Sequence, residues 1–83
     1  MNQGMQLTER QQQCLWLASK GKTSRESAMI LGVTERTVNF HLSQAFARLN
    51  VRNKQAAVAR ALSLQLLDRG HAHLLDPHGI EEG

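Results

Sequence analysis

The stretch from Thr34 to Asn50, TERTVNFHLSQAFARLN, most limits what this chain can fold into. It has a helix's opening, a helix's length and two chemically distinct faces. Thr34 is a residue type that caps helix N-termini, and Glu35 follows it in the first turn, where the helix dipole favours negative charge. Val38, Leu42, Ala45 and Leu49 recur at spacings of four, three and four. They form one apolar stripe, which Phe46 widens, and the stripe needs other elements to pack against. The opposite side carries Arg36, Asn39, Phe40, Ser43 and Ala47, with Arg48 at its edge. Side chains of these kinds reach base edges or phosphates from a helix lying in a DNA major groove. For a helix taken alone, an ordinary solvated face is the commoner meaning. The sequence on either side decides between the two.

Upstream, Thr8 with Gln11 and Thr23 with Glu26 are two capping boxes, in which each side chain satisfies the other residue's backbone N–H. They predict helices over about 8–19 and 23–31. Gly21 and Gly32 suit the left-handed turns that end helices. On the first helix Gln11, Cys14, Leu15 and Ala18 share a face, with Leu7 just before it. On the second, Ala28 and Leu31 face inward and Ser27 shares their side. A helix, a short glycine turn pinned by Val33, and a second helix capped by Thr34 make a helix-turn-helix. In that arrangement the first helix braces the second, so that the second can enter a groove. Downstream, Asn53 is placed to cap a helix over about 54–67. It carries two stripes: Ala57, Ala61 and Leu64, then Val58, Leu62 and Leu66. One stripe can pack on the domain. The other predicts pairing with a second copy, because so small a domain rarely buries both sides of a helix.

Eighty-three residues make one small all-α domain, of a size that association often stabilises. The net charge of +3 is uneven. Residues 1–67 hold nine Lys and Arg against three Glu, and the last sixteen residues carry a net −3. A basic body favours a polyanionic partner. No run of 18 apolar residues is present, so no membrane span is predicted, and no secretory signal opens the chain. The single cysteine, Cys14, lies among Leu15, Leu17 and Ala18 and is expected to be buried and inert. Residues 1–6 are expected to fray, and 68–83 to form a disordered acidic tail. His71, His73, Asp76 and His78 in that tail are metal-ligand types. No second constellation supports a metal site, so no metal or other cofactor is expected. Nor is there a nucleophile, base and orienting group in any plausible pattern: the chain is not expected to be an enzyme.

Several blocks in order resemble the LuxR-type helix-turn-helix domain, also named after the spore regulator GerE. These are Leu7-Thr8 with Arg10, Gly21-Lys22-Thr23-Ser24, Glu26 with Ala28, Leu31, Val33, the run Thr37-Val38-Asn39-Phe40-His41, Arg48-Leu49, Val51 and the region around Ala57. The likeness covers Leu7 to about Leu67 and looks most like the acyl-homoserine-lactone (quorum-sensing) branch. It implies four helices, the second and third forming the motif and the fourth dimerising on an inverted repeat in a promoter. Position by position, it puts Asn39, Phe40 and Ser43 against bases, and Thr37, His41, Arg48 and Lys54 near phosphates. Val58 and Leu62 fall on its dimer helix. Arg36, one turn before Phe40, adds a contact to phosphate or guanine by its own chemistry.

The departures carry expectations too. Gln11 and Gln13 replace the usual glutamates. Ser27 replaces a bulky apolar residue, so the core there is expected to be under-filled or hydrated. Asn39 and Ser43 replace basic residues of many members, which weakens the sequence-independent attraction to DNA. Trp16 stands where a polar residue is usual, either packed over the edge of the first helix or exposed as a contact for RNA polymerase or another domain. The expected function is a cytoplasmic bacterial regulator that binds promoter DNA as a homodimer, with no small-molecule ligand in these residues. The alternative is an interaction protein that dimerises with related full-length regulators, inhibits them and reads DNA poorly.

Overall fold

The computed structural model describes residues 7–67 and 69–75. Four α-helices follow one another: α1 (Glu9–Ser19), α2 (Ser24–Leu31), α3 (Glu35–Leu49) and α4 (Lys54–Ser63). A 3-10 helix over Arg69–Leu75 comes after them. No strand occurs among the described residues, and no described helix is long and apolar enough to cross a membrane.

The helix starts follow the side chains that the sequence supplies. Thr8, Thr23, Thr34 and Asn53 each accept a hydrogen bond from the backbone N–H three residues on. In the first two the return bond is present as well: the N–H of Thr8 reaches Gln11 Oε1 at 3.0 Å, and that of Thr23 reaches Glu26 Oε1 at 2.9 Å. Gln11 therefore closes its box as well as a glutamate would. The bond from Thr23 N–H, aided by nearby Lys22, holds the Glu26 carboxyl below the usual carboxylate range. Each α-helix begins one residue later than expected where the cap itself had been counted, since the capping residue keeps an extended conformation.

The helix ends share one design. Gly21, Gly32, Asn50 and Gln65 all have positive φ, at 82°, 72°, 58° and 59°. The residue after each donates its N–H to the carbonyl five residues back: Lys22 to Leu17, Val33 to Ala28, Val51 to Phe46 and Leu66 to Ala61, at 2.8–3.1 Å. This is the Schellman closure of a helix. Val33, Val51 and Leu66 then turn inward onto the core.

The core is built around α1 and α3, which pack on each other; α2 and α4 each pack on both. Cys14, Leu15, Val38, Leu42, Ala45, Leu49, Ala57 and Ala61 are buried, with Leu7 and Ala28 at the margin. The stripe expected on α3 is the buried face of α3. On α1 burial runs through Cys14, Leu15, Trp16 and Leu17 in succession, wider than one face. It has to, because α1 is covered by other elements on several sides. Ser27 is buried at the seat of α2.

Two expectations need correction. The fourth helix ends at Ser63 and not near Leu67, because Gln65 adopts the left-handed turn with no glycine to announce it. The inner stripe is therefore Ala57 and Ala61 alone; Leu64 is exposed, and Leu66 lies past the helix, packed against the core. The tail is also not disordered from its start. Arg69–Leu75 forms a 3-10 helix that packs on α2 and buries His71. The His71 Nε2 atom is 3.3 Å from Glu9 Oε2, and the ring lies 6.2 Å from that of Trp16. Acidic, glycine-containing composition argued for disorder, but the contact that orders this segment is with residues far upstream. The fraying expected of residues 1–6, and the positions of Asp76 and His78, lie outside the described residues.

The closing turns give a test with opposite signs. No atom lies within 4 Å of a Cβ placed on Gly32, so Gly32→Ala should cost only the left-handed conformation, about 1 kcal/mol. Asn50→Gly should be nearly neutral, because the side chain already accepts that conformation. Thermal melts should show the first variant several degrees below wild type and the second within a degree or two. Burial supplies another test, since it pushes the Cys14 thiol up to about 11, against the pull of Arg10. A raised acid pKa means that the unfolded chain loses this proton first. Stability should therefore fall as pH rises from about 9 to 11. Urea titrations across that range should show a decline that Cys14→Ala lacks.

Candidate nucleic-acid interface

Burying Val38, Leu42, Ala45 and Leu49 leaves the opposite side of α3 no choice but to face water. Arg36, Asn39, Phe40 and Ser43 are all exposed there, and α-helical spacing sets them on one side. Phe40 is 58% exposed, whereas Phe46 on the same helix lies against the core. The exposed ring leaves an apolar face among the polar side chains of this side of α3. Its neighbour His41 meets it edge-on, with ring centroids 5.7 Å apart.

Asn39 is held from outside its own helix. The Ser24 hydroxyl donates to Asn39 Oδ1 at 2.5 Å, which ties the first residue of α2 to the middle of the α3 outer face. The contact engages the acceptor of the amide and directs its N–H groups elsewhere. Nothing in the linear sequence marks Ser24 as the partner; only the packing of α2 across α3 brings them together. Met29, also unmarked by the sequence pattern, is 75% exposed on α2. Its position next to the buried Ala28 places it on the outward side of that helix.

The residues expected near phosphates fall into different places. Thr37 and His41 are half-buried along α3. Thr37 belongs to the helix start: its N–H donates to Thr34 Oγ1 at 3.1 Å, and the Thr34 hydroxyl donates to Thr37 Oγ1 at 2.9 Å. Arg48 is exposed in the last turn of α3. Lys54 opens α4 and lines a groove of about 330 Å³ with Ala18, Ser19, Val58 and Leu62. It is thus drawn towards the pair expected to dimerise. Leu62 is 57% exposed, while Val58 is half-buried and packs against the core at one edge, so only Leu62 of the expected outer stripe stands fully in water.

Trp16 proves to be packed and not presented. It is buried between the His71 ring and Lys20, whose Nζ sits 5.4 Å from the indole centroid. His73, by contrast, is exposed.

The family model described as bacterial regulatory proteins, luxR family (GerE) matches residues 5–61. Over 61 residues the chain is 54% identical to the transcriptional activator protein AnoR of Acinetobacter nosocomialis, covering 74% of this chain and 26% of that protein. It is 49% identical over 61 residues to the quorum sensing-dependent transcriptional regulator RpaR of Rhodopseudomonas palustris, covering 74% and 25%. Against the transcriptional activator protein LuxR of Aliivibrio fischeri it is 40% identical over 62 residues, covering 75% and 25%. The chain spans about a quarter of the length of these curated relatives.

The tie between α2 and α3 can be checked without any nucleic acid. In Ser24→Ala the Asn39 side chain should lose its fixed orientation. Side-chain NMR couplings should change from one rotamer to an average, while the amide shifts of buried Val38 and Leu42 stay in place. A single Asn39 rotamer in both proteins would show that Ser24 does not hold it.

Proposed function

Because this chain belongs to the luxR family of bacterial regulatory proteins, a family of DNA-binding transcription regulators and not of enzymes, we propose that it is the promoter-reading domain of such a regulator. The observation that carries the reading is the outer face of α3, which exposes Arg36, Asn39, Phe40 and Ser43 together while the other side is buried. Inserted in a major groove, Asn39 pairs with adenine through its amide, Phe40 meets a thymine methyl, and Ser43 bonds to either base type. Arg36 takes a guanine or a phosphate. Thr37, His41, Arg48 and Lys54 act on the phosphate backbone, which sets register without reading sequence.

Two copies act together. Val58 and Leu62 on α4 form the pairing face, and the resulting two-fold symmetry matches an inverted repeat in the DNA. The relatives carry names of transcriptional activators and quorum-sensing regulators; a signal received elsewhere in such a protein is the natural input to this domain. Its place of work is the bacterial cytoplasm. The second reading, a dimerising protein that blocks related regulators, is favoured by one observation: the groove face of α4 is apolar, whereas the central reading positions Asn39 and Ser43 carry no charge.

Titration against a pool of random duplexes at two salt concentrations separates them. An inverted repeat should be enriched, with binding falling steeply as salt rises. Asn39→Ala should then lose about 1–3 kcal/mol of discrimination at one base pair of each half-site. Val58→Glu should abolish cooperative binding to the full repeat and leave only weak half-site binding. Unselective binding by a well-folded dimer, together with inhibition of a full-length relative that survives Asn39→Ala, would instead establish the second reading.

A further inference from the structure

We propose that the end of α4 has two alternative conformations, and that the choice between them couples docking of Arg69–Leu75 to pairing with a second copy of the chain. The inference rests on the α4 pairing proposed above. Its starting point is the fourth closing turn. Three helices close on Gly21, Gly32 and Asn50, residue types that accept positive φ readily, whereas α4 closes on Gln65. A side chain with a Cβ and no compensating local bond disfavours that conformation by roughly tenfold. Leu62, Leu64, Gln65, Leu66 and Leu67 are moreover good helix formers, and nothing in their chemistry stops a helix at Ser63.

What holds the turn is what lies beyond it. With Gln65 turned, Leu66 N–H reaches Ala61 carbonyl at 2.8 Å, and Leu66 and Leu67 pack on the core. The chain then runs back so that His71, 5% exposed, covers Trp16 and meets Glu9. The family match stops at residue 61, so this clasp lies outside the matched region. The arrangement leaves Leu62 and Leu64 facing water.

Moving Gln65 to the right-handed region reverses each of these. The helix continues to about Leu67 and carries the chain along the α4 axis, about 1.5 Å further for each residue, instead of back towards α2 and Trp16. Val58, Leu62 and Leu66 then stand at successive spacings of four, a continuous stripe beside the groove that Lys54, Val58 and Leu62 already line. Leu66 serves either the core or the partner, never both. The docked clasp is thus the form of the single chain, and the extended α4 the form of the pair. Trp16 reports which is present, because undocking the clasp removes the His71 ring and leaves only Lys20 beside the indole.

The full 83-residue chain carrying Gln65→Gly or Gln65→Ala tests this, with pairing read by sedimentation equilibrium and Trp16 cover read by acrylamide quenching. Glycine favours the turn and alanine the helix, so the dimer Kd should be at least tenfold weaker in Gln65→Gly than in Gln65→Ala, with wild type between. His71→Ala, which loosens the clasp from its other end, should tighten the dimer as well. Quenching of Trp16 should rise as each protein dimerises. Equal Kd values in the two Gln65 variants would overturn the coupling and leave the α4 dimer standing. A dimer in which Trp16 stays protected would overturn the alternative conformations. A monomer in every variant at all concentrations would remove the pairing face itself, and the coupling with it.

Discussion

Everything positional in this domain depends on α3 being seated along one side. Val38, Leu42, Ala45 and Leu49 are buried against α1, α2 and α4, and the helix cannot rotate without exposing some of them. A turn of about 100° per residue separates neighbouring side chains, so rotation by one residue would trade Val38 for Asn39 and Leu42 for Ser43 at the core. The outer residues are fixed by exclusion. Arg36, Asn39, Phe40 and Ser43 need no bonds of their own to be placed on one surface, although Asn39 has one to Ser24. A site of this kind is inherited from packing, which is why a small core can hold it.

That dependence also explains what could be seen in the sequence. The stripe, the capping threonines and the two glycines are local signals, each with a chemical cause within a few residues, and the helices they predict are present. The outer face of α3 was legible for the same reason, as the complement of the stripe. What failed was non-local. Gln65 has no sequence mark of a turn, and its conformation is set by Leu66 and the segment after it. His71 looked like one of several solvated histidines until Trp16, more than fifty residues away, supplied it with a surface. Ser24 became part of the reading face only through α2 crossing α3. In each case a residue's role came from tertiary contact, where periodicity has nothing to say.

Trp16 ties these misses together. An indole at that position widens the buried part of α1 beyond what three helices cover, and a chain that small has few side chains to spare for it. Lys20 lies over one part of the ring and His71 over another. Both contacts are favourable but modest, of the order of a kcal/mol each. Of the two, only the His71 contact holds the Arg69–Leu75 segment, together with Glu9 and the packing on α2. On the inference above, the domain would combine a part set by the α3 stripe with a clasp of lower stability.

The same arithmetic bears on why a reading helix with so little charge would come in pairs. Asn39 and Ser43 are neutral, and α3 itself carries only Arg36 near its start and Arg48 near its end, with Lys22 and Arg25 flanking the Ser24 that bonds to Asn39. Each phosphate neutralised contributes roughly one unit to the slope of log affinity against log salt, so two cations on α3 would give that helix little non-specific attraction of its own. The base contacts proposed for Asn39, Phe40 and Ser43 would bring roughly 1–3 kcal/mol of discrimination each. Joining two copies on one duplex makes the second binding step intramolecular, at an effective concentration of about millimolar, without any new contact to DNA. On the proposed reading, pairing would supply affinity that the α3 face lacks, while the base contacts would set which site is occupied. A more basic α3 would bind tightly alone, and would bind nearly everywhere.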